Sequence, residues 1–403
     1  MKIRFMINCL FILMANSLYG QDYKKLHFNS ILVDTHNDIP SKAIERGLSF
    51  DADLRNKTHS DLRRMKEGGV DVQLFSIWCD GNQPHPYAWA HREMDTVLAW
   101  TNRNPKDMVQ TFTPKDIYKA VKENKLAVMF GVEGGHMIEN DLNKLEALYK
   151  KGAKYMTLTW NNSTDWATSA LDETTVLSKS PPKGETLRDS ARKKGLTEFG
   201  KQVVRRMNEL GMLVDLSHVG EQTFWDAIHT TTKPVLVSHS CVYSICPHRR
   251  NLKDDQIKAV GKNGGVIHLN FYSGFLDSTF ERRSDAFTAK HKPEMDSLLK
   301  INPEPYFMNE YLFEKYPEEV KALRPPLSVL FNHLDYIIKM IGVDHVGLGS
   351  DFDGVNSLPQ EMDDVTKFPL ITKGLLERGY SKKDIRKILG GNFLRLFAEV
   401  QPR

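Results

Sequence analysis

The stretch Val33-Asp34-Thr35-His36-Asn37-Asp38 decides how the rest of the chain is read. A short apolar run, Ile31-Leu32-Val33, delivers His36 and Asp38 two positions apart. On a strand, residues i and i+2 share a face, so these side chains can aim at one point. A His-x-Asp pair at a strand end can hold a divalent metal, but alone it is far more often a polar turn with a surface histidine. The question is whether later strand ends bring more ligands to the same place.

Working outward, the chain shows eight β-like runs separated mostly by helical patterns. They are Ile31–Asp38, Val70–Cys79, Leu126–Gly135, Tyr155–Trp160, Leu213–His218, Pro234–Ser240, Gly265–Phe271 and His345–Asp353. Most are continuous apolar runs of the kind found in buried parallel strands. Between them, 197–211 places Phe199, Val203, Met207 and Leu210 on one helical face, with Thr197 as N-cap and Gly211 as stop. Residues 329–341, with Ser328 as N-cap, and 382–389 read the same way. Alternating strand and helix predicts an α/β fold with a parallel sheet, and eight such strands favour a (β/α)8 TIM barrel. Residues 277–326 fit no strand and are rich in charge, proline and aromatics. They are expected to form a partly helical insertion after strand seven, a candidate lid.

The start of the chain has the form of a secretory signal peptide over residues 1–20: basic Lys2 and Arg4, an apolar run from Phe5 to Met14, then small residues. A secreted or periplasmic protein is expected, with one barrel domain over 21–403 and no transmembrane segment in the mature chain. Loss of Lys2 and Arg4 takes the formal charge from +4 to +2. A near-neutral chain offers no electrostatic case for nucleic acid or an anionic membrane. Cys79, Cys241 and Cys246 allow at most one internal disulfide, so no disulfide framework holds the fold.

Barrel enzymes build their sites at the C-terminal strand ends, and here those ends carry metal-binding side chains. Run one ends in His36 and Asp38, run three in Glu133, run five in His218, run six in His239 and run eight in Asp351. His136 lies just past Glu133, His345 precedes its strand, and His268 sits inside one as a packing or supporting residue. One catalytic zinc usually takes three protein ligands and a water. His36, Asp38, Glu133, His218 and His239 are too many for one open site and fit two metals if a carboxylate bridges. Glu133 is the natural bridge, because the nearest lysine to run four, Lys154, is read as preceding the strand. Two adjacent metals would acidify a shared water and polarise a carbonyl. Asp351 suits the proton shuttle to a leaving amine, a sixth ligand, or a support for a ligating histidine.

Six ordered motifs then resemble the membrane dipeptidase (renal dipeptidase) family of zinc peptidases. They are Asp34-Thr35-His36-Asn37-Asp38, Gly131-Val132-Glu133-Gly134-Gly135, Asp215-Leu216-Ser217-His218, Val237-Ser238-His239-Ser240, Arg249-Arg250-Asn251 and Gly349-Ser350-Asp351-Phe352-Asp353-Gly354. The resemblance implies a barrel with two Zn2+ per chain that hydrolyses dipeptides, the nucleophile being a metal-bridging hydroxide. It also allows a homodimer. It implies His36 and Asp38 on the first zinc, Glu133 as bridge, His218 and His239 on the second, Asp351 in proton transfer and Arg250 on the substrate carboxylate. A guanidinium fork pairs with a carboxylate through two parallel bonds, so the last role is chemically apt.

One departure stands out. Where the family usually has Leu-Thr-His after strand four, this chain has Leu158-Thr159-Trp160, then Asn161 and Asn162. Trp160 can stack or donate one indole N–H, but it cannot become charged. Trp160 and Asn161 are therefore assigned to substrate binding, with Asn161 or Asn162 as a donor to the developing oxyanion. Two other readings keep the barrel: a metal-dependent amide or lactone hydrolase, and a binding protein without turnover.

Overall fold

Alternation along one strand shows how the interior is built. In Leu126–Glu133, Ala127 and Met129 belong to one apolar cluster, while Val128, Phe130 and Val132 belong to another. The first fills the inside of a barrel, and the second packs the strands against outer helices. The computed structural model describes residues 22–178, 195–300 and 311–402. The expected signal peptide and residues 301–310 of the expected insertion lie outside these.

The strands, all parallel, are β1 (Val33–Asn37), β2 (Val72–Trp78), β3 (Met108–Gln110), β4 (Leu126–Glu133), β5 (Ala153–Thr157), β6 (Leu213–Asp215), β7 (Leu236–Ser240), β8 (Val266–Leu269) and β9 (Val346–Leu348). They run in the order β2-β1-β9-β8-β7-β6-β5-β4-β3, and a further β2–β4 pairing closes the ring. Eight strands form a closed (β/α)8 barrel, each within or overlapping an expected run. The ninth, β3, was not expected. It pairs with Leu126–Val128 at the start of β4, while β5 pairs further along from Phe130.

Local chemistry accounts for the helices. Thr197 accepts a hydrogen bond from Gly200 N, and Gly211 (φ 77°) ends the helix Glu198–Leu210 in the left-handed conformation, as expected. Ser328 is a correction: it is the first residue of helix Ser328–Ile341, and the preceding Leu327 makes no side-chain cap. The segment read as 382–389 is the helix Lys382–Arg386 followed by a wider turn, Lys387–Gly391, and the closing helix Asn392–Val400. Phe393, Leu396 and Phe397 of that last helix pack with Val33, Leu213 and Leu236, sealing the bottom of the barrel. The region 277–326 carries helices Phe280–Lys290, Lys292–Leu299 and Pro317–Leu323 around its own small core of Phe280, Phe287, Leu312, Phe313 and Val320.

Lys154 lies inside β5 rather than before it. Its ammonium sits over the rings of Tyr149 and Phe112, on the helix side, away from the mouth. Cys79, Cys241 and Cys246 are all free and buried. Among the described residues, no helix is long and apolar enough to cross a membrane.

Candidate metal centre

Tyr155 marks where the apolar fill of the barrel gives way to polar chemistry. Its ring crosses the interior over Gly131, where a Cβ would stand 1.9 Å from Tyr155 Cζ. Above it lie Ser76, Glu133, Thr157, Asp215 and Ser238, on positions that face the mouth. His36, at 0 % exposure, hangs over this layer from β1. Asp38 lies one residue beyond the strand, at the start of helix Ile39–Arg46. The pair still converges: His36 Nε2 is 3.3 Å from Asp38 Oδ2.

Glu133, the last residue of β4, is the meeting point. Its Oε2 is 3.4 Å from His36 Nε2, and its Oε1 is 2.7 Å from His218 Nε2 and 3.4 Å from His239 Nε2. The carboxylate thus divides the three imidazoles between its two oxygens. His218 and His239 face each other at 3.0 Å between Nε2 atoms.

Outer partners explain why the Nε2 atoms point inward. Tyr155 Oη donates to Thr35 O (3.0 Å), so at 2.8 Å it accepts from His36 Nδ1–H. Ser238 Oγ donates to Asp215 Oδ2 (2.7 Å) and accepts from His239 Nδ1–H, also at 2.7 Å. Asn161 Oδ1 lies 3.2 Å from His218 Nδ1. Assigned from this network, each neutral ring carries its proton on Nδ1 and turns a lone pair on Nε2 toward Glu133. Among the described residues, His36 Nε2 is buried without a hydrogen-bond partner. Acceptor facing acceptor at these distances is repulsive unless a cation lies between them. The donor set therefore fits a divalent metal, and His36, Glu133 and His239 offer ligand atoms within 4.8 Å of one another.

Electrostatics agree. Burial, reinforced by the Arg250 charge, pushes the His218 imidazole down to about 3. Burial and the charge of His36 hold His239 well below its usual value. These rings stay neutral and able to ligate. Burial works against the Glu133 carboxylate, but His36 and the imidazole contacts outweigh it and hold its pKa well below the usual range. His36 differs: burial disfavours its cation, yet Tyr155, Asp38 and Glu133 raise its pKa well above the usual value, so these groups favour a positive charge at this ring, which a bound metal would supply in place of the proton.

The two flanks of the centre are clasped in the same way. Asp34 takes Ser350 N at 2.8 Å on Oδ1 and Ser350 Oγ at 2.7 Å on Oδ2. Asp215 takes Ser238 N at 2.8 Å on Oδ1 and Ser238 Oγ at 2.7 Å on Oδ2. Between the named strands, each of these seams has a single registered pair, Asp34↔Leu348 and Asp215↔Leu236.

Asp351 follows β9 with φ 61°, and His218 follows β6 with φ 64°. Both hold a left-handed backbone that non-glycine residues rarely adopt, a form of strain that gathers at functional sites. Asp351 N donates to His36 O (3.1 Å), and Asn270 Nδ2 donates to Asp351 Oδ2 (2.7 Å). His36, Asp38 and Asp351 make a second potential ligand group. Burial first, then the charges of Asp38 and Glu133, push the Asp351 carboxyl up to about 7.

Arg250 is buried beside the centre, donating to Ser240 Oγ and His239 O, both at 3.3 Å. Its Nε has no partner among the described residues. Trp160 lies 6.4 Å from the His218 ring. The residues expected from the sequence thus gather at one mouth. Tyr155, Asp215, Ser238 and Asn270 were not singled out. Asp215 and Ser238 carried a usable signal, as polar residues inside apolar strands just before a ligating histidine.

Comparison with known proteins fits this geometry. The family model for membrane dipeptidase, peptidase family M19, matches residues 21–402. The chain belongs to the membrane dipeptidase family. An uncharacterized dipeptidase of Schizosaccharomyces pombe is 30 % identical over 404 residues, spanning 95 % of this chain and 84 % of that protein. The fold is shared with the probable dipeptidase PvdM of Pseudomonas aeruginosa (TM-score 0.76, 24 % identity, 96 % of this chain and 99 % of that one). It is also shared with a metallo peptidase of Rhodobacter sphaeroides solved with a phosphinate mimic of L-Ala-D-Ala (TM-score 0.71, 22 % identity, 92 % and 100 %). This membrane dipeptidase relative is therefore a metallopeptidase, acting by metal-dependent dipeptide hydrolysis.

Proposed function

We propose that the chain is a binuclear zinc dipeptidase, with His36, Asp38, Glu133, His218 and His239 holding two zinc ions. The observation that carries this reading is the division of Glu133: Oε2 toward His36, Oε1 toward His218 and His239. Five ligands, one of them the shared carboxylate, exceed what one catalytic zinc takes. When bound, the ions would polarise the scissile carbonyl and acidify a shared water toward neutral pH.

The chain's own groups supply the rest. Arg250 holds the substrate's terminal carboxylate, because its charge is buried and its Nε lacks a partner among the described residues. That demand for a nearby carboxylate would restrict the enzyme to short peptides. Asp351 carries the proton from the attacking water to the leaving amine. Asn270 fixes Asp351 Oδ2, leaving Oδ1 for that exchange. Asn161 holds His218 through its oxygen, which leaves its amide N–H groups for the substrate. The basic and apolar start of the chain supports export, as a secreted or periplasmic enzyme.

The test is metal analysis and a panel of dipeptides, lactones and N-acyl amino acids, each with and without chelator. Wild type should hold two zinc ions and hydrolyse dipeptides only while loaded. Glu133→Gln should lose metal and turnover together. Full zinc and turnover in that variant would refute the bridging role, and hydrolysis of lactones alone would refute the dipeptidase reading.

A further inference from the structure

Two tryptophans, Trp78 and Trp160, meet at the mouth, and Trp78 stands on the side away from Arg250. Around the closed ring β2 and β7 are four steps apart, so they face each other across the barrel. Arg250 is tied to the end of β7 through His239 O and Ser240 Oγ. Trp78 ends β2, in register with Glu133 on β4. Trp160 packs against it edge to face, with ring centroids 5.1 Å apart and planes at 67°. Both rings are only partly buried, whereas Trp100 and Trp166, in the core, are 2 % and 1 % exposed.

The backbone that carries this wall is tied down. Trp78 N donates to Glu93 Oε2 (2.6 Å), and Trp89 Nε1 donates to Trp78 O (3.1 Å). Trp160 Cβ comes within 3.3 Å of where a Cβ on Gly134 would lie, and Gly134 has φ 119°. Glu93, behind the wall, is wholly buried, and burial pushes its carboxyl well above the usual range. Its Oε2 is taken up by Trp78 N behind the rings, so it presents no exposed anchor for a cationic side chain.

A dipeptide with its carboxylate on Arg250 and its carbonyl over the metal centre must extend its first residue toward the opposite side. We propose that Trp78 and Trp160 seat the side chain of the amino-terminal residue, and that the enzyme favours dipeptides beginning with an aromatic or large aliphatic residue. This rests on the dipeptidase reading above. Aromatic rings prefer edge-to-face or offset partners, and such contacts add to the burial of the side chain itself. Where the family resemblance calls for a histidine, this chain has an apolar surface, so the two choices lead to different specificity.

The experiment compares kcat/KM for Phe-Ala, Leu-Ala, Gly-Ala and Lys-Ala on the zinc-loaded enzyme. Phe-Ala and Leu-Ala should exceed Gly-Ala by about tenfold or more, the range that one apolar pocket contact commands. In Trp160→His and Trp78→Leu the Phe-Ala to Gly-Ala ratio should fall to within about threefold of unity. Trp160→Phe, which keeps a ring, should retain most of the ratio and guards against a folding defect. Equal rates on all four peptides would overturn the wall and leave the dipeptidase reading intact. So would a preference for Lys-Ala, or a ratio unchanged in Trp160→His and Trp78→Leu. Failure to hydrolyse any dipeptide would overturn the functional reading, and the wall with it.

Discussion

Tyr155→Phe removes one oxygen from the barrel interior and leaves the ring in place. That oxygen accepts from His36 Nδ1 and donates to Thr35 O, both within 3.0 Å and wholly buried. Its loss has two separable effects. A buried donor and a buried carbonyl lose their partner, which costs about 1–3 kcal/mol for each group left unsatisfied. His36 also loses the bond that fixes its tautomer and ring plane. Outer partners of a ligating histidine are worth about 10- to 100-fold in metal affinity, or about 1.4–2.7 kcal/mol. The effect should be one-sided, because His239 and His218 are held independently by Ser238 and Asn161. Equilibrium dialysis against buffered zinc should show one ion bound as in wild type and the other weakened, with a lower melting temperature. Gly131→Ala should act similarly by displacing the Tyr155 ring. Unchanged affinity at both sites, or an equal loss at both, would refute the argument that Tyr155 serves His36.

Asp215→Asn should weaken the His218–His239 side instead, because Asp215 anchors Ser238, the acceptor for His239 Nδ1; the dialysis experiment then reads the opposite asymmetry. Gly349→Ala should destabilise the fold by about 1–3 kcal/mol or more by chemical denaturation, since its Cβ would lie 1.9 Å from Ser238 O. Stability should also fall in acid through His333. Its Nδ1 accepts from Val242 N, its Nε2 faces Leu276 O, and burial lowers it to about 4. The folded ring is neutral while the unfolded one takes a proton below about 6.5, so its contribution is full above that pH and declines as pH falls toward 4. Between pH 7 and 5 that loss is about 2 kcal/mol, and His333→Gln should show a correspondingly shallower decline.

The strands and the ligand positions were legible because both follow local rules: continuous apolar runs, ended by residues that metals bind. Leu126–Glu133 is such a case, a full apolar run with the carboxylate on its last residue. β3 was not legible because Met108–Gln110 is too short to show any period, and it is a strand only because β5 leaves the start of β4 uncovered. The left-handed ends at His218 and Asp351 cut β6 and β9 short of their apolar runs. Tyr155 looked like core, and most of it is. Its function lies in a phenol that meets His36 from 119 positions away, which no local pattern records. Lys154 was set aside as a bridge for the wrong reason: it lies on β5, but on the outward face.

The paired clasps at Asp34 and Asp215 have a consequence for how such a centre can be retuned. At both seams a carboxylate binds the backbone N–H and hydroxyl of a serine on the neighbouring strand. These side chains therefore add to the backbone pairing in setting how the strand ends meet, beside the direct bond from Asp351 N to His36 O at one seam and through Ser238 at the other. A register shift in a barrel moves every later residue to the wrong face. Exchanging one clasp residue acts on a single seam and needs no register shift. The geometry within either half of the centre is thus open to point substitution at its own clasp, with the rest of the barrel kept.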